Sequence, residues 1–137
     1  IAARGAGMAK GATNMALHYA MDRKTFGKAI AEHQAIQLKL AEMSTRAAAA
    51  ELLVHQAADK FDRHERCDLE AGQAKFFASE AAVQNSLDAM RVFGGYSYSP
   101  EYEIERFYRD APLLCIGEGT NEIQRMIIAK QMVARAS

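Results

Sequence analysis

Between residues 32 and 63, Ile36, Leu40, Met43, Ala47, Ala50, Val54, Ala57 and Phe61 follow one another at alternating spacings of four and three. That rhythm keeps an apolar stripe on one face of an α-helix. Sustained over so many turns, it predicts a long helix with a bundle-type seam. The alanines at its centre predict a neighbour packed close. Met8, Ala12, Met15 and Tyr19 repeat in the same way and predict a helix over residues 2 to 21. Its Gly5, Gly7 and Gly11 each cost up to about 1 kcal/mol of helix propensity relative to alanine, which close helix–helix approach would explain. A third helix is predicted over residues 68 to 92, with Ala74, Phe77, Ala81 and Leu87 near one face. Asp68 is its expected N-cap, and Gly94-Gly95 its stop. A last helix starts at Thr120 or Asn121, runs to about residue 134 and presents Ile123, Met126 and Ile127. A short helical turn covers residues 101 to 108.

The only prolines are Pro100 and Pro112, so the first 93 residues lack the strongest helix breaker. The alternation from Gly95 to Pro100 is short and ends in proline, which predicts loop rather than strand. The fold class that follows is all-α: four principal helices in an up-and-down bundle, forming one domain over residues 1–137.

Composition narrows the function. Lys plus Arg and Asp plus Glu both number 17, which excludes the basic excess of a general nucleic-acid binder. Apolar runs such as Ala47 to Ala50 fall far short of the roughly 20 residues of a membrane span. The first residues carry no basic segment, cleavage site or initiator Met, and helical patterning begins at once, so the chain reads as a piece of something longer with no visible signal peptide. Cys67 and Cys115 lie far apart without CxxC spacing, as expected of idle thiols in a reducing compartment. A di-iron bundle needs Glu-x-x-His on paired helices. Glu51 and His55 form only one loosely similar pair. No metal is expected, and His18, His55 and His64 read as surface.

The chemistry is concentrated in three junctions. Asp22-Arg-Lys-Thr-Phe-Gly-Lys28, followed by His33-Gln34, sets cations, a hydroxyl and a glycine turn between helices. Such a grouping suits a phosphate or diphosphate, with Arg23 offering a fork, although a solvated loop has the same composition. Arg91-Val-Phe-Gly-Gly-Tyr-Ser-Tyr98 is either a plain C-cap or a place where backbone can approach a flat ligand. In Leu114-Cys-Ile-Gly-Glu-Gly-Thr-Asn121, Glu118 stands between two glycines just before a helix. It either favours the helix dipole or serves as a general base.

Taken in order, Arg23-Lys-Thr-Phe-Gly27, His33-Gln34-Ala35-Ile36, Leu40-Ala-Glu-Met43, Phe93-Gly-Gly-Tyr96, Arg109-Asp110 and Glu118-Gly-Thr-Asn-Glu-Ile-Gln-Arg125 resemble the acyl-CoA dehydrogenase family. The resemblance runs from about residue 3 to 135 and corresponds to the family's C-terminal helical domain. It implies an FAD-dependent enzyme that oxidises the Cα–Cβ bond of an acyl-CoA thioester to the trans-2-enoyl-CoA. Glu118 matches the base that takes the α-proton, while hydride passes from Cβ to the flavin. Arg23, Thr25, Phe26 and Gln34 match contacts to the FAD of a neighbouring subunit. Arg91, Phe93, Gly94, Gly95, Thr120 and Glu122 match further FAD contacts. Gly117 and Gly119, flanking the base, match substrate-side positions.

The resemblance further implies a homotetramer built as a dimer of dimers and an electron-transfer flavoprotein as acceptor. It implies a location in the bacterial cytoplasm or the mitochondrial matrix. In this chemistry the thioester carbonyl must be polarised, and the backbone N–H of Glu118 is the expected donor. Arg91 stands where many members have Gln, Ser97 replaces a common Gly, and Gly117 stands where several straight-chain enzymes have Tyr. The last change implies a wider acyl pocket for longer, branched or functionalised substrates. Two alternatives accompany this reading: an acyl-CoA oxidase-like flavoenzyme, and a non-catalytic helical oligomerisation module. The isolated 137-residue chain is expected to be inactive, because the family's other domains supply most of the flavin and substrate cover.

Overall fold

A computed structural model describes residues 1–136. Among these residues five α-helices form: α1 (Ala2–Asp22), α2 (Gln34–Asp62), α3 (Asp68–Phe93), α4 (Ile104–Ile116) and α5 (Asn121–Ala136). Helix α3 is the hub and packs against the other four. The contacts fix the directions. Ala6 and Ala9 of α1 meet Ala78 and Ala81 of α3, and Ala16 and Ala20 join the cluster of Ala89, Val92 and Phe93 further along. Helices α1 and α3 therefore run parallel. In α2 the order reverses, with Ala47 and Ala50 at the first cluster and Met43 at the second. The sequence's up-and-down order holds for these three helices.

The fourth arm differs from the expectation of one helix. Helix α4 descends along α3 from Ile104, in the cluster of Val92 and Phe93, to Leu114, packed with Ala82. Helix α5 continues the descent, from Asn121 at Ser79 to Arg135 at Glu70. The fourth arm is thus broken in two, and the break is residues 117–120. The short turn expected over residues 101 to 108 is really the approach to and first turns of α4, which runs on through Pro112. A proline inside a helix costs about 3 kcal/mol. Burial of Ala111 and Leu114 on either side of it offsets that cost.

Alanine dominates the interior. Ala6, Ala9, Ala47, Ala50, Ala78 and Ala81 form one core cluster, and Met43, Ile30, Val92, Phe93 and Ile104 anchor a second. The expected seam of α2 is only partly covered: Phe61 is exposed and Val54 half-buried. The predicted face of α5 is also largely open, since Ile123 and Met126 are exposed, whereas Asn121 and Gln131 are buried. Gly5 meets the close-approach expectation, because a Cβ there would lie 2.8 Å from the Ala78 backbone. Gly11 meets it more mildly, against the Phe107 ring at 3.0 Å, and Gly7 faces open space.

Three local details also depart from the sequence reading. A two-stranded antiparallel hairpin, β1 (Lys24–Thr25) and β2 (Lys28–Ala29), follows α1 where no strand was expected. Its two loop residues, Phe26 at φ 51° and Gly27 at φ 80°, give the positive-φ pair of a type I′ turn, which matches strand twist. Gly94–Tyr98 is a 3-10 turn rather than an irregular loop. Asp68 is the first residue of α3 and pairs with Arg66, while Cys67 occupies the cap position. Gly94, at φ 62°, ends α3 as expected. Among the described residues no helix is long and apolar enough to cross a membrane.

Polar side chains tie the helices together. The buried Asn85 amide donates to the Ala9 carbonyl, the Met43 carbonyl and Thr13 Oγ1, and its Oδ1 accepts from Arg46 Nε. Buried Asp88 receives Lys39, Arg46 and Arg91. Buried Glu70 takes Arg135 in a two-pronged bond at 2.7 and 3.0 Å and Lys60 at 2.7 Å. The Arg135 hydrogen bonds, helped by Lys60, outweigh burial and bring the Glu70 carboxyl from 4.5 down to about 2.

Two outcomes follow. Gly5→Ala should destabilise the protein by roughly 1–3 kcal/mol through overpacking, whereas Gly7→Ala should stabilise it by up to about 1 kcal/mol, both read by chemical denaturation. A carboxyl whose folded value is depressed stabilises above its unfolded value and loses that contribution as pH falls. The thermal midpoint of the wild type should therefore exceed that of Glu70→Gln above pH 4.5, and the gap should close toward pH 2.

Candidate functional site

The fold gathers the junction residues at two places. At one end of the bundle lie the C-terminus of α1, the start of α2 and the C-terminus of α3. Between them is a cleft of about 610 Å³ lined by Tyr19, Arg23, Thr25, His33, Phe93, Gly94, Gly95 and Tyr96, among others. Its floor is aromatic: Tyr19 stacks on Phe93 at 4.2 Å, and Tyr102 closes on both rings edge-on. The Arg23 guanidinium lies over the Tyr96 ring at 5.6 Å. Burial raises the Tyr19 phenol above its usual value, with nearby Arg23 opposing, so the ring stays neutral.

His33 Nε2 stands 3.1 Å from Thr25 Oγ1 and 3.4 Å from the Thr25 carbonyl. With its proton on Nε2 the imidazole donates to both oxygens, which leaves the Thr25 hydroxyl hydrogen free for a ligand. A Cβ built on Gly94 or Gly95 would meet nothing within 4 Å, so these two residues present open backbone to the cleft. A guanidinium, a hydroxyl, exposed backbone and an aromatic floor suit an anionic, flat ligand such as a dinucleotide.

The expected cofactor residues divide accordingly. Arg23, Thr25, Phe93, Gly94 and Gly95 come together in this cleft. Phe26 stands outside it on the hairpin turn, 97 % exposed, with its ring edge-on to His33 at 6.1 Å. Gln34 is exposed at the start of α2. Arg91 is also exposed and is held by Asp88 at 3.2 Å, so it does not line the cleft. Tyr19, His33 and Tyr96 complete the cleft; His33 and Tyr96 stand in the sequence motifs, but no role was assigned to them there. Tyr19 was legible only as core, because its spacing fits the apolar stripe of α1.

Glu118, Thr120 and Glu122 lie near the other end of α1, beside the middle of α3. A second cleft, of about 670 Å³, is lined there by Ile1, Ala2, Arg4, Asp68, Gly72, Lys75, Glu118 and Gln124, among others. The break between α4 and α5 projects Glu118 in a left-handed backbone conformation at φ 57°, followed by Gly119 at φ 84°. Its carboxylate is exposed and has no hydrogen-bond or ion-pair partner among the described residues, and its backbone N–H likewise takes no acceptor. A free carboxylate and a free amide on one residue can act as base and as carbonyl-polarising donor together. Thr120 caps α5, its Oγ1 accepting from the Ile123 amide at 3.4 Å. Glu122 is held below its usual value by backbone and Thr120 hydrogen bonds near that helix start. Gly117 ends α4 with its amide on the Leu113 carbonyl at 2.8 Å.

The two clefts sit at opposite ends of α1, whose 21 residues span about 30 Å.

Comparison with known proteins identifies the family and the fold. The family model described as acyl-CoA dehydrogenase, C-terminal domain, matches residues 1–133. An acyl-CoA dehydrogenase of Bacillus subtilis is 50 % identical over 133 residues, which are 97 % of this chain and 35 % of that protein. A 3-(aryl)acrylate reductase of Clostridium sporogenes is 48 % identical over the same shares. The solved structure of butyryl-CoA dehydrogenase from Megasphaera elsdenii superposes with a TM-score of 0.95 at 39 % identity, covering 96 % of this chain and 34 % of that one. The chain therefore spans about a third of the length of these relatives. On the match of nearly its whole length, the chain belongs to the acyl-CoA dehydrogenase family, as its C-terminal helical domain.

Proposed function

We propose that residues 1–137 form the C-terminal domain of an FAD-dependent enzyme that oxidises an acyl-CoA thioester to its trans-2-enoyl-CoA. Glu118 is the base. Its carboxylate accepts the α-proton while its own amide donates to the thioester carbonyl, where charge gathers as the proton leaves. The start of α5 beyond it adds a favourable dipole. FAD, when bound, supplies the acceptor for the hydride that leaves Cβ, so that the C–H pair lost becomes the C=C bond. Arg23, with the Thr25 hydroxyl oriented by His33, holds the diphosphate, and Gly94 and Gly95 give it open backbone. Phe26, thrown outward by the hairpin turn, packs against the same cofactor.

The observation that carries this reading is the separation of the two clefts. Glu118 and the Arg23 cleft lie about a helix length of 30 Å apart, too far to serve one reacting carbon within a single chain. A catalytic centre that uses Glu118 from one subunit and the dinucleotide cleft of another resolves the distance. On this reading FAD lies across a subunit boundary in a homo-oligomer, a tetramer by family resemblance. The same resemblance supplies an electron-transfer flavoprotein as acceptor and a location inside the cell. Gly117 leaves the base without a bulky neighbour, which favours branched or aryl-bearing acyl groups. The similarity to an arylacrylate reductase supports such substrates and the reverse direction under reducing conditions.

Two experiments on the full-length protein test the assignment. The substrate is the acyl-CoA, from a panel running from butyryl-CoA to arylpropionyl-CoA, that bleaches the wild-type flavin fastest. Glu118→Gln should lower α-proton exchange with deuterated water by a factor of at least about 100 while FAD content stays at the wild-type level. Retained exchange reassigns the base. For the shared centre, Glu118→Gln and Arg23→Glu subunits are each inactive, but their hybrids hold one intact centre per pair. Equal co-assembly should recover roughly a quarter of the wild-type rate. No recovery places both residues in one chain's centre.

A further inference from the structure

Lys75 is a charged residue of α3 that is only 6 % exposed, and nothing in the proton transfer proposed for Glu118 calls for it. Its ammonium donates to the Cys115 carbonyl at 3.2 Å and to Asn121 Oδ1 at 2.8 Å. Those two partners flank the break that carries Glu118. Cys115 lies in the last turn of α4, where carbonyls have no partner further along the helix, and Asn121 is the first residue of α5. Asn121 is itself clamped: its amide donates to Glu80 Oε1 at 2.8 Å and to Ser79 Oγ at 3.0 Å. The same lysine lines the cleft into which Glu118 opens.

Residues 117–120, between these anchors, include two positive-φ positions, Glu118 and Gly119. Within the break few bonds oppose relaxation of Glu118 into a commoner conformation. Gln124 Nε2 reaches the Glu118 carbonyl only at 3.4 Å, and Thr120 bonds forward into α5. The spacing between the end of α4 and the start of α5 is thus held from outside, by α3. We infer that Lys75 is a positioning residue: by bridging the Cys115 carbonyl and the Asn121 side chain it fixes the span of the break and so aims the Glu118 carboxylate and amide at the substrate. This rests on Glu118 being the base. Burial pulls the Lys75 ammonium below its usual value, with Cys115, Glu122 and Glu80 opposing, a cost accepted for a buried cation that spans the gap. Methionine would fill the volume but bridge nothing.

The test uses the full-length, FAD-bearing enzyme with the acyl-CoA chosen above, and expresses every rate per bound flavin. Lys75→Met should lower α-proton exchange and kcat about 10- to 100-fold, as expected for a base misplaced by about an ångström. KM should stay within about twofold. Asn121→Ala, which removes one anchor, should give a smaller loss of the same kind, and combining the two substitutions should cost less than the product of the separate losses. A lysine that merely stabilises the fold would lower the number of flavin-bearing molecules and leave the rate per flavin unchanged. That result in Lys75→Met overturns the inference. If Lys75→Met retains no flavin, Asn121→Ala decides: reduced exchange per flavin supports the role, and wild-type exchange overturns it. Failure of the base reading looks different, because Glu118→Gln would then exchange normally whatever Lys75→Met does.

Discussion

Helices that meet over alanine have little to hold them in register, and here the register is set by polar side chains of α3. Alanine surfaces are smooth, and sliding one past another changes buried area only slightly. Asn85 removes that freedom, because its amide and carbonyl are all satisfied only where Ala9, Thr13, Met43 and Arg46 stand together. A buried carboxamide left short of partners costs roughly 1–3 kcal/mol, which is enough to select one alignment. Asp88 repeats the device toward α2, and Glu70 and Lys75 extend it to the broken fourth arm.

This register has a direct consequence for the two clefts. The Arg23 cleft exists because the ends of α1 and α3 finish level, so that Tyr19 reaches Phe93 and Arg23 reaches Tyr96. The Glu118 cleft exists because α1 starts partway along the longer α3, with Gly5 against Ala78, which leaves Arg4, Asp68 and Gly72 around one opening. A bundle that slipped by one turn would lose both. Fold and site are therefore not separable layers in this domain, since the parallel pair α1 and α3 is at once its frame and the spacer between its working ends.

Much of this was legible in the sequence, for reasons that differ from element to element. The three long helices declare themselves by spacing, and Gly94-Gly95 marks the end of α3 because only a glycine-like φ of 62° stops it there. The break at Glu118 is legible from its flanking glycines. Helix α4 was not, because Pro112 reads as a terminator, and only tertiary burial of Ala111 and Leu114 makes it tolerable. The hairpin was hidden for a similar reason: a type I′ turn normally shows Asn-Gly or Asp-Gly, and Phe26-Gly27 does not. The motif residues identified the family as a set, but their division between the two ends of α1 follows from helix direction, which spacing alone does not give. Tyr19 and Lys75 were missed as site residues because each has an ordinary place in its own helix and gains its second role only from a neighbour distant in sequence, whereas His33 gains its role from the hairpin that brings Thr25 beside it.

The alanine interior leaves this domain little latitude for change. Its central positions already hold the smallest side chain compatible with a good helix, so nearly every substitution there adds volume where none exists. Room for substitution in this chain is thereby confined to the rims: the residues bordering the break, the hairpin and the open faces of α2 and α5. Either cleft can thus change at its border while the tightly filled centre stays as it is.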